Sequence, residues 1–361
     1  MASLCLFGRM SMARTMEDYI REIPQAAREN IKNRKELTAR FAGWYKKGKL
    51  VIVASGSSYN AAVMAEPFLK QKMDMDVSVI TPFSYVCDER IPSGREQYLF
   101  VSQSGCSTNV LEAVRKHREN GFETAAIVGN ADSAIAREAD VVMDYGAGEE
   151  TVGYVTKGMS LLCLFFMLCG LEVKAYHMSE EKYKHYVRML KGMAKNHEAV
   201  LRWAEKFYTV HEKSFLSMRH VYFMGSGSNW GAVLEGALKV GEMVHVQTSA
   251  YEAEEFIHGP DLQLTPEYTL FFLDSGDKAG ARIRDIWQAS KEITDHTFLV
   301  SAGEFPETMA ELTGFYLAAF FQYAAYRISK ELGIKAEHPL FVRFDSKIPC
   351  KTQDYEETAP F

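Results

Sequence analysis

Two stretches of this chain share one rhythm of hydrophobic and polar positions. Residues 51–64 read VIVASGSSYNAAVM and residues 221–234 read VYFMGSGSNWGAVL. At a constant offset of 170 residues, Val51/Val221, Ser58/Ser228, Ala62/Ala232 and Val63/Val233 are identical. Each stretch opens on a β-branched or aromatic run, turns on Gly and Ser, and continues as an Ala-rich amphipathic segment. That pattern predicts strand, tight loop and helix. A second pair follows in residues 98–105 (YLFVSQSG) and 269–276 (TLFFLDSG), and a third in 124–128 (TAAIV) and 297–301 (TFLVS).

Strands alternating with helices predict parallel sheets covered on both faces. The expected architecture is α/β, with two tandem doubly wound parallel-sheet domains at 46–180 and 215–340. A helical lead occupies 1–45, with a helix pair over 14–44. Helices connect the halves over 181–214, and a tail of little periodicity covers 341–361. The apolar run 159–171 is too short to span a bilayer and predicts a buried helix. The opening MASLCLFGRM has an apolar segment without a basic flank, so it reads as an unstructured start, with Met12 and Met16 as alternative starts.

Composition narrows the function. The chain has 361 residues, 47% hydrophobic and 24% charged, enough for sizeable cores. A net charge of -6 with scattered basic residues gives no footprint for nucleic acid or an anionic membrane. Cys5, Cys87, Cys106, Cys163, Cys169 and Cys350 form no CxxC pair and have no histidine at zinc spacing. No metal site is predicted, and a reducing, cytoplasmic location is expected.

The chemistry is expected where strands end. In a parallel α/β sheet, ligands bind beyond the carboxyl ends of the strands. Two Ser-rich loops fall there, residues 55–60 (SGSSYN) and 102–107 (SQSGCS), each opening a helix whose N–H groups attract an anion. Hydroxyls of Ser57, Ser58, Ser102, Ser104 and Ser107 add donors for a phosphate. Neither loop has the Gly-Lys-Ser/Thr ending of a nucleoside-triphosphate loop. The alternative is that Ser and Gly here form only caps and turns. Residues 225–231 (GSGSNWG) are one residue too long for a dinucleotide fingerprint.

With these segments the chain resembles the sugar isomerase (SIS) family, in particular the isomerase domain of glucosamine-fructose-6-phosphate aminotransferase and the related deaminases and fructosamine-6-phosphate deglycases. The loops at 55–60 and 102–107 are similar to the family's two phosphate loops, with Ser107 where Thr is usual. Residues 235–242 (EGALKVGE) and 250–260 (AYEAEEFIHGP) are similar to its glutamate helix and its His-Gly-Pro loop, and the sixteen residues from Glu242 to His258 match without a gap. The resemblance implies phosphate binding by Ser55, Gly56, Ser57, Ser58, Ser102, Gln103, Ser104 and Ser107. It implies Glu242 as the base between C1 and C2, and His258, from a neighbouring subunit, as the ring opener. Glu235 and Lys239 would lie by the sugar hydroxyls, and Gly153 and Val155 in the loop contacting the sugar. An Arg-x-x-x-Lys spacing from Arg343 nominates Lys347 as a catalytic tail lysine. His338-Pro-Leu340 looks like the deglycases, whereas Lys239 looks like the amino-sugar branch.

The synthase's glutamine-hydrolysing stretch has no counterpart, which directs the expectation away from amination. The expected activity is deglycation or deamination of a 6-phosphorylated ketosamine without a cofactor. Isomerisation or deamination of glucosamine 6-phosphate is the alternative, and a non-catalytic sugar-phosphate regulator is the rival of another class. A homodimer with shared sites is implied. Without the resemblance, the residues point only to a candidate general base and a histidine set in a turn. Glu235, Lys239 and Glu242 stand on one face of a helix that is otherwise apolar, where charge is costly unless paired or functional. His258 is flanked by Gly259-Pro260, which sets it in a turn. A solvated charged face and a structural histidine are the plainer alternatives.

Overall fold

Nine strands form two parallel sheets in the computed structural model, which describes residues 14–88, 94–306, 308–334, 342–344 and 346–355. The first sheet has the order β2-β1-β3-β4-β5, built from β1 (Lys49–Val53), β2 (Val77–Ile80), β3 (Glu96–Ser102), β4 (Ala125–Val128) and β5 (Val141–Met143). The second runs β7-β6-β8-β9, from β6 (His220–Gly225), β7 (Gln247–Glu252), β8 (Tyr268–Asp274) and β9 (Thr297–Ser301). The second sheet therefore repeats the order of the first four strands of the first. Three strands lie outside the sequence expectation. β2, β5 and β7 are short or only half-buried, so their hydrophobic pattern is weak.

The longer helices are α1 (Met16–Lys32), α2 (Gly56–Pro67), α3 (Thr108–Glu119), α4 (Lys157–Lys174), α5 (Glu180–Leu216), α6 (Ser228–Val244), α7 (Lys278–Ser290) and α8 (Thr313–Leu332). Thr15 and Asp18 form a capping box that starts α1. Where connecting helices were expected, α5 is a single helix of 37 residues. His338, Pro339 and Leu340, together with Cys5 and Met12, lie outside the described residues.

Strand alternation divides the core into three. Leu50, Ile52, Leu99 and Val101 face inward, as do Val221, Phe223, Phe271 and Leu273 of the other sheet, and all join one cluster with α1, α4, α5 and α8. Val51, Val53 and Phe100 face the opposite way onto α3. Tyr222, Met224, Leu270 and Phe272 do the same onto α7. This is the period-two signature of sheets buried on both faces. Helix α4 with the turn after it, Lys157 to His177, is apolar and long enough to cross a membrane by length and composition, more than the 159–171 run alone suggested. Yet 78% of its most apolar window is buried inside the protein, where it fills the core.

The two repeat units meet through their first helices. A Cβ on Gly231 of α6 would lie 2.6 Å from Asn60 O and 2.5 Å from Met64 N of α2. Only glycine allows this backbone contact. It brings the α6 carboxylates against the first Ser loop.

Candidate functional site

A cleft of about 950 Å³ opens at the carboxyl ends of β1 and β3. Ser55, Gly56, Ser57, Ser58, Ser102, Gln103, Ser104 and Ser107 all line it, with Gly153, Val155, Lys239 and Glu242. One cleft thus collects most of the residues singled out from sequence.

The two Ser loops cap α2 and α3 without using their own cap side chains. Neither Ser55 nor Ser107 makes a capping hydrogen bond; the first-turn N–H groups of α2 remain for a ligand, whereas at α3 Thr108 N donates to the Cys350 carbonyl and Val110 N to Asn109 Oδ1. The hydroxyls are mostly held as acceptors. Asn109 Nδ2 donates to Ser55 Oγ at 2.8 Å, which ties the loops together. Cys106 N donates to Ser104 Oγ at 3.2 Å, and Ser102 Oγ donates to Ser107 Oγ at 3.0 Å. Ser55, Ser104 and Ser107 keep their own protons to give. Ser58 lines the cleft with no side-chain partner among the described residues. The sharp turn needs Gly105, at φ +67°, because a Cβ there would fall 1.9 Å from Ser133 Oγ.

Ser57 differs from its neighbours. It donates its single proton to Glu235 Oε1 at 3.0 Å and accepts from Lys239 Nζ at 3.2 Å. That proton is spent on α6, so Ser57 links the first Ser loop to the charged helix.

Glu235 lies behind the cleft wall. Its side chain is wholly buried, and Asn60 Nδ2 donates to its Oε2 at 2.9 Å. Lys239 Nζ is 3.2 Å from Glu235 Oε1 and 2.7 Å from Glu242 Oε1. Burial opposes the Lys239 charge, but the two carboxylates outweigh it and hold the amine above its usual range. Glu242 keeps 30% of its side chain exposed, on the cleft side. The triplet is therefore neither a solvated face nor a sealed ion pair. It ends in one carboxylate that a ligand can reach.

Residues 149–155 form another wall. Glu150 caps α4: Oε1 accepts from Thr156 N and Lys157 N at 2.8 and 2.9 Å, and Oε2 from Gly158 N at 2.8 Å. Gln103 Nε2 also donates to Glu150 Oε2, at 3.0 Å, so this carboxylate positions the second Ser loop. Tyr154 Oη donates to the Glu242 carbonyl at 3.2 Å. Burial, then the Glu242 charge, push the Tyr154 hydroxyl up to about 12. Glu150 carries no sequence signal beyond its place shortly before an apolar helix.

The tail supplies a different lysine from the one expected. Lys347 is exposed and does not line the cleft. Lys351 does, donating to Ser104 Oγ at 3.0 Å and Ser107 Oγ at 3.4 Å. The tail pairs with the loop as a short antiparallel bridge, Thr108 N to Cys350 O at 3.1 Å and Thr352 N to Cys106 O at 2.8 Å. Burial pulls the Lys351 amine below its usual range, and the charge faces hydroxyls instead of a carboxylate. An anion at the second loop would answer it.

His258 is not in this cleft. It sits exposed in the turn after β7, the edge strand of the second sheet, on the surface of the chain.

Residues 44–169, from just before β1 into α4, match the SIS domain family. Over those residues the chain resembles a SIS domain. Its two Ser loops and the 149–155 wall lie inside the matched SIS residues. The chain is similar to the glutamine–fructose-6-phosphate aminotransferases (isomerizing) of Mesorhizobium japonicum and Thermotoga maritima. The first is 30% identical over 60% of this chain and 36% of that protein, the second 26% identical over 81% and 50%. The chain thus matches half or less of the length of these curated relatives. Among solved structures it is similar to a candidate phosphosugar isomerase from Clostridium difficile 630, with a TM-score of 0.83, 26% identity, and coverage of 95% of this chain and 100% of that one. The C-terminal domain of glucosamine-fructose-6-phosphate aminotransferase from Francisella tularensis shares the fold, at a TM-score of 0.73, 19% identity, and coverage of 90% and 98%.

Proposed function

We propose that this chain is a phosphosugar-processing enzyme that releases an amine from a 6-phosphorylated ketosamine to give a hexose 6-phosphate. The observation that carries this reading is the Glu242 carboxylate, half-buried but open to the same cleft as two Ser-rich helix starts and held by Lys239 at 2.7 Å. The phosphate docks between the N-terminus of α2 and the second Ser loop, with Ser58, Ser104 and Ser107 hydroxyls donating and Lys351 supplying charge. Lys351 takes the tail role first expected of Lys347.

In the open-chain ketosamine, C1 carries two hydrogens and the amine, and C2 is a carbonyl. Glu242 removes one C1 proton, giving an enaminol, and returns it to C2, which leaves a C1 imine. Water adds to the imine and the C–N bond breaks, yielding the aldehyde of the hexose 6-phosphate and the free amine. Lys239 orients Glu242 and keeps Glu235 paired. No step calls for a cofactor. His258 opens the sugar ring from a second copy of the chain, so the working unit is a homodimer sharing its sites. A cytoplasmic location, with no nucleic-acid or membrane partner, goes with this reading.

A coupled assay for glucose 6-phosphate over fructosamine 6-phosphates and glucosamine 6-phosphate tests it. Release of glucose 6-phosphate and amine from the former is expected. Fructose 6-phosphate from glucosamine 6-phosphate alone would replace deglycation by isomerising deamination. No turnover of any member, with tight binding, would favour a sugar-phosphate regulator.

A further inference from the structure

Among the described residues, every charged side chain lining the cleft has a partner except one. Lys239 is met by Glu235 and Glu242, Lys351 by two serine hydroxyls, Asp354 by Arg137, and Glu150 by the start of α4. Glu149 lines the same cleft, its side chain is exposed, and its carboxylate has no partner among the described residues.

The backbone that carries Glu149 is fixed. Lys157 Nζ donates to the Glu149 carbonyl at 2.8 Å, and Tyr19 Oη accepts from Thr151 N at 3.1 Å. Further along the same loop, Tyr154 Oη donates to the backbone carbonyl of Glu242, which ties the Glu149 loop to the end of α6, and both side chains line the one cleft. The phosphate end has Lys351; the other lysine, Lys239, is already flanked by two carboxylates. A carboxylate on the departing amine would meet Glu149 and Glu242 with no cation to answer it, whereas a cation would find Glu149 waiting.

We infer that Glu149 is a specificity residue: among 6-phosphorylated ketosamines it selects those whose amine bears a second positive charge over those whose amine bears a carboxylate. This rests on the ketosamine reading above. Because Glu149 is open to solvent, the effect is modest, about two- to fivefold for each unit of charge, and it fades with added salt.

The test uses three fructosamine 6-phosphates of equal length, made from 1,4-diaminobutane, butylamine and 4-aminobutanoate. With wild type at low salt, kcat/KM falls in that order and the spread narrows at high salt. Glu149→Gln flattens the order and Glu149→Lys reverses it. Equal values in wild type, a preference for the carboxylate, or an order unchanged in Glu149→Gln would overturn the inference. If none of the three is turned over, the ketosamine reading fails by itself. Calorimetric affinities of the same compounds then still decide Glu149, since they show the charge order or they do not.

Discussion

Lys239 Nζ lies 2.7 Å from Glu242 Oε1 and 3.2 Å from Glu235 Oε1, a buried cation between one carboxylate that is sealed and one that is open. The sealed partner makes this lysine structural as well as chemical. Lys239→Met leaves Glu235 buried beside only Ser57 and Asn60, and removing one member of a buried pair costs about 3–5 kcal/mol. Urea unfolding should show that loss for Lys239→Met and a smaller one for Lys239→Met with Glu235→Gln, because the stranded charge is then gone. Equal losses would mean the pair is not coupled.

The tail lysines separate two accounts of phosphate binding. Lys351→Met should weaken binding of a sugar 6-phosphate by about 10–100-fold, the effect of losing one charged hydrogen-bonding partner. Lys347→Met should change it less than about twofold, as expected of an exposed side chain away from the cleft. Calorimetry with fructose 6-phosphate reads both. The reverse ranking would restore Lys347 as the lysine of the site.

Where His258 acts can be read from mixed chains. Glu242→Gln and His258→Ala proteins are each expected to be inactive. Unfolded together and refolded at equal amounts, they should recover about a quarter of wild-type activity, since half the twofold dimers have one intact site of two. No recovery, with dimers present in sedimentation, would place His258 outside the neighbour's site.

Much of this was legible beforehand, for physical reasons. The repeat was visible because a strand end, a tight turn and a helix start each constrain residue type, so Val51/Val221 and Ser58/Ser228 still align. β7 was not, because an edge strand buries little and QTSAYE lacks alternation. The Ser loops were recognisable as a place, but the direction of each hydrogen bond was not. Only packing of α2 on α6 shows that Ser57 gives its proton to Glu235. The place of Lys351 in the cleft was not legible because spacing along a tail of little periodicity says nothing of where it docks, and the contact is made by backbone bonds at Cys350 and Thr352.

Acid should weaken the fold through two histidines. Burial holds His197 down to about 3, and His117, buried against Tyr85, down to about 4. Both lie below the roughly 6.5 of an unfolded histidine, so the unfolded chain takes up more protons as pH drops. The stability they contribute is full above about pH 6.5 and declines by about 1.4 kcal/mol per pH unit for each as pH falls toward those folded values. Urea midpoints at pH 7, 6 and 5 should show this decline, and His197→Phe should make it shallower. An identical slope in the variant would assign the acid sensitivity to other groups.

The central claim is that Glu242 carries a proton between C1 and C2. Glu242→Gln keeps shape and hydrogen bonding but cannot accept that proton, while the Ser loops proposed to hold the phosphate belong to the other repeat. The decisive measurement is single-turnover release of glucose 6-phosphate from a bound fructosamine 6-phosphate by this variant. The account predicts a rate about 10²–10⁴ times below wild type with the substrate still bound. A rate equal to wild type would contradict it.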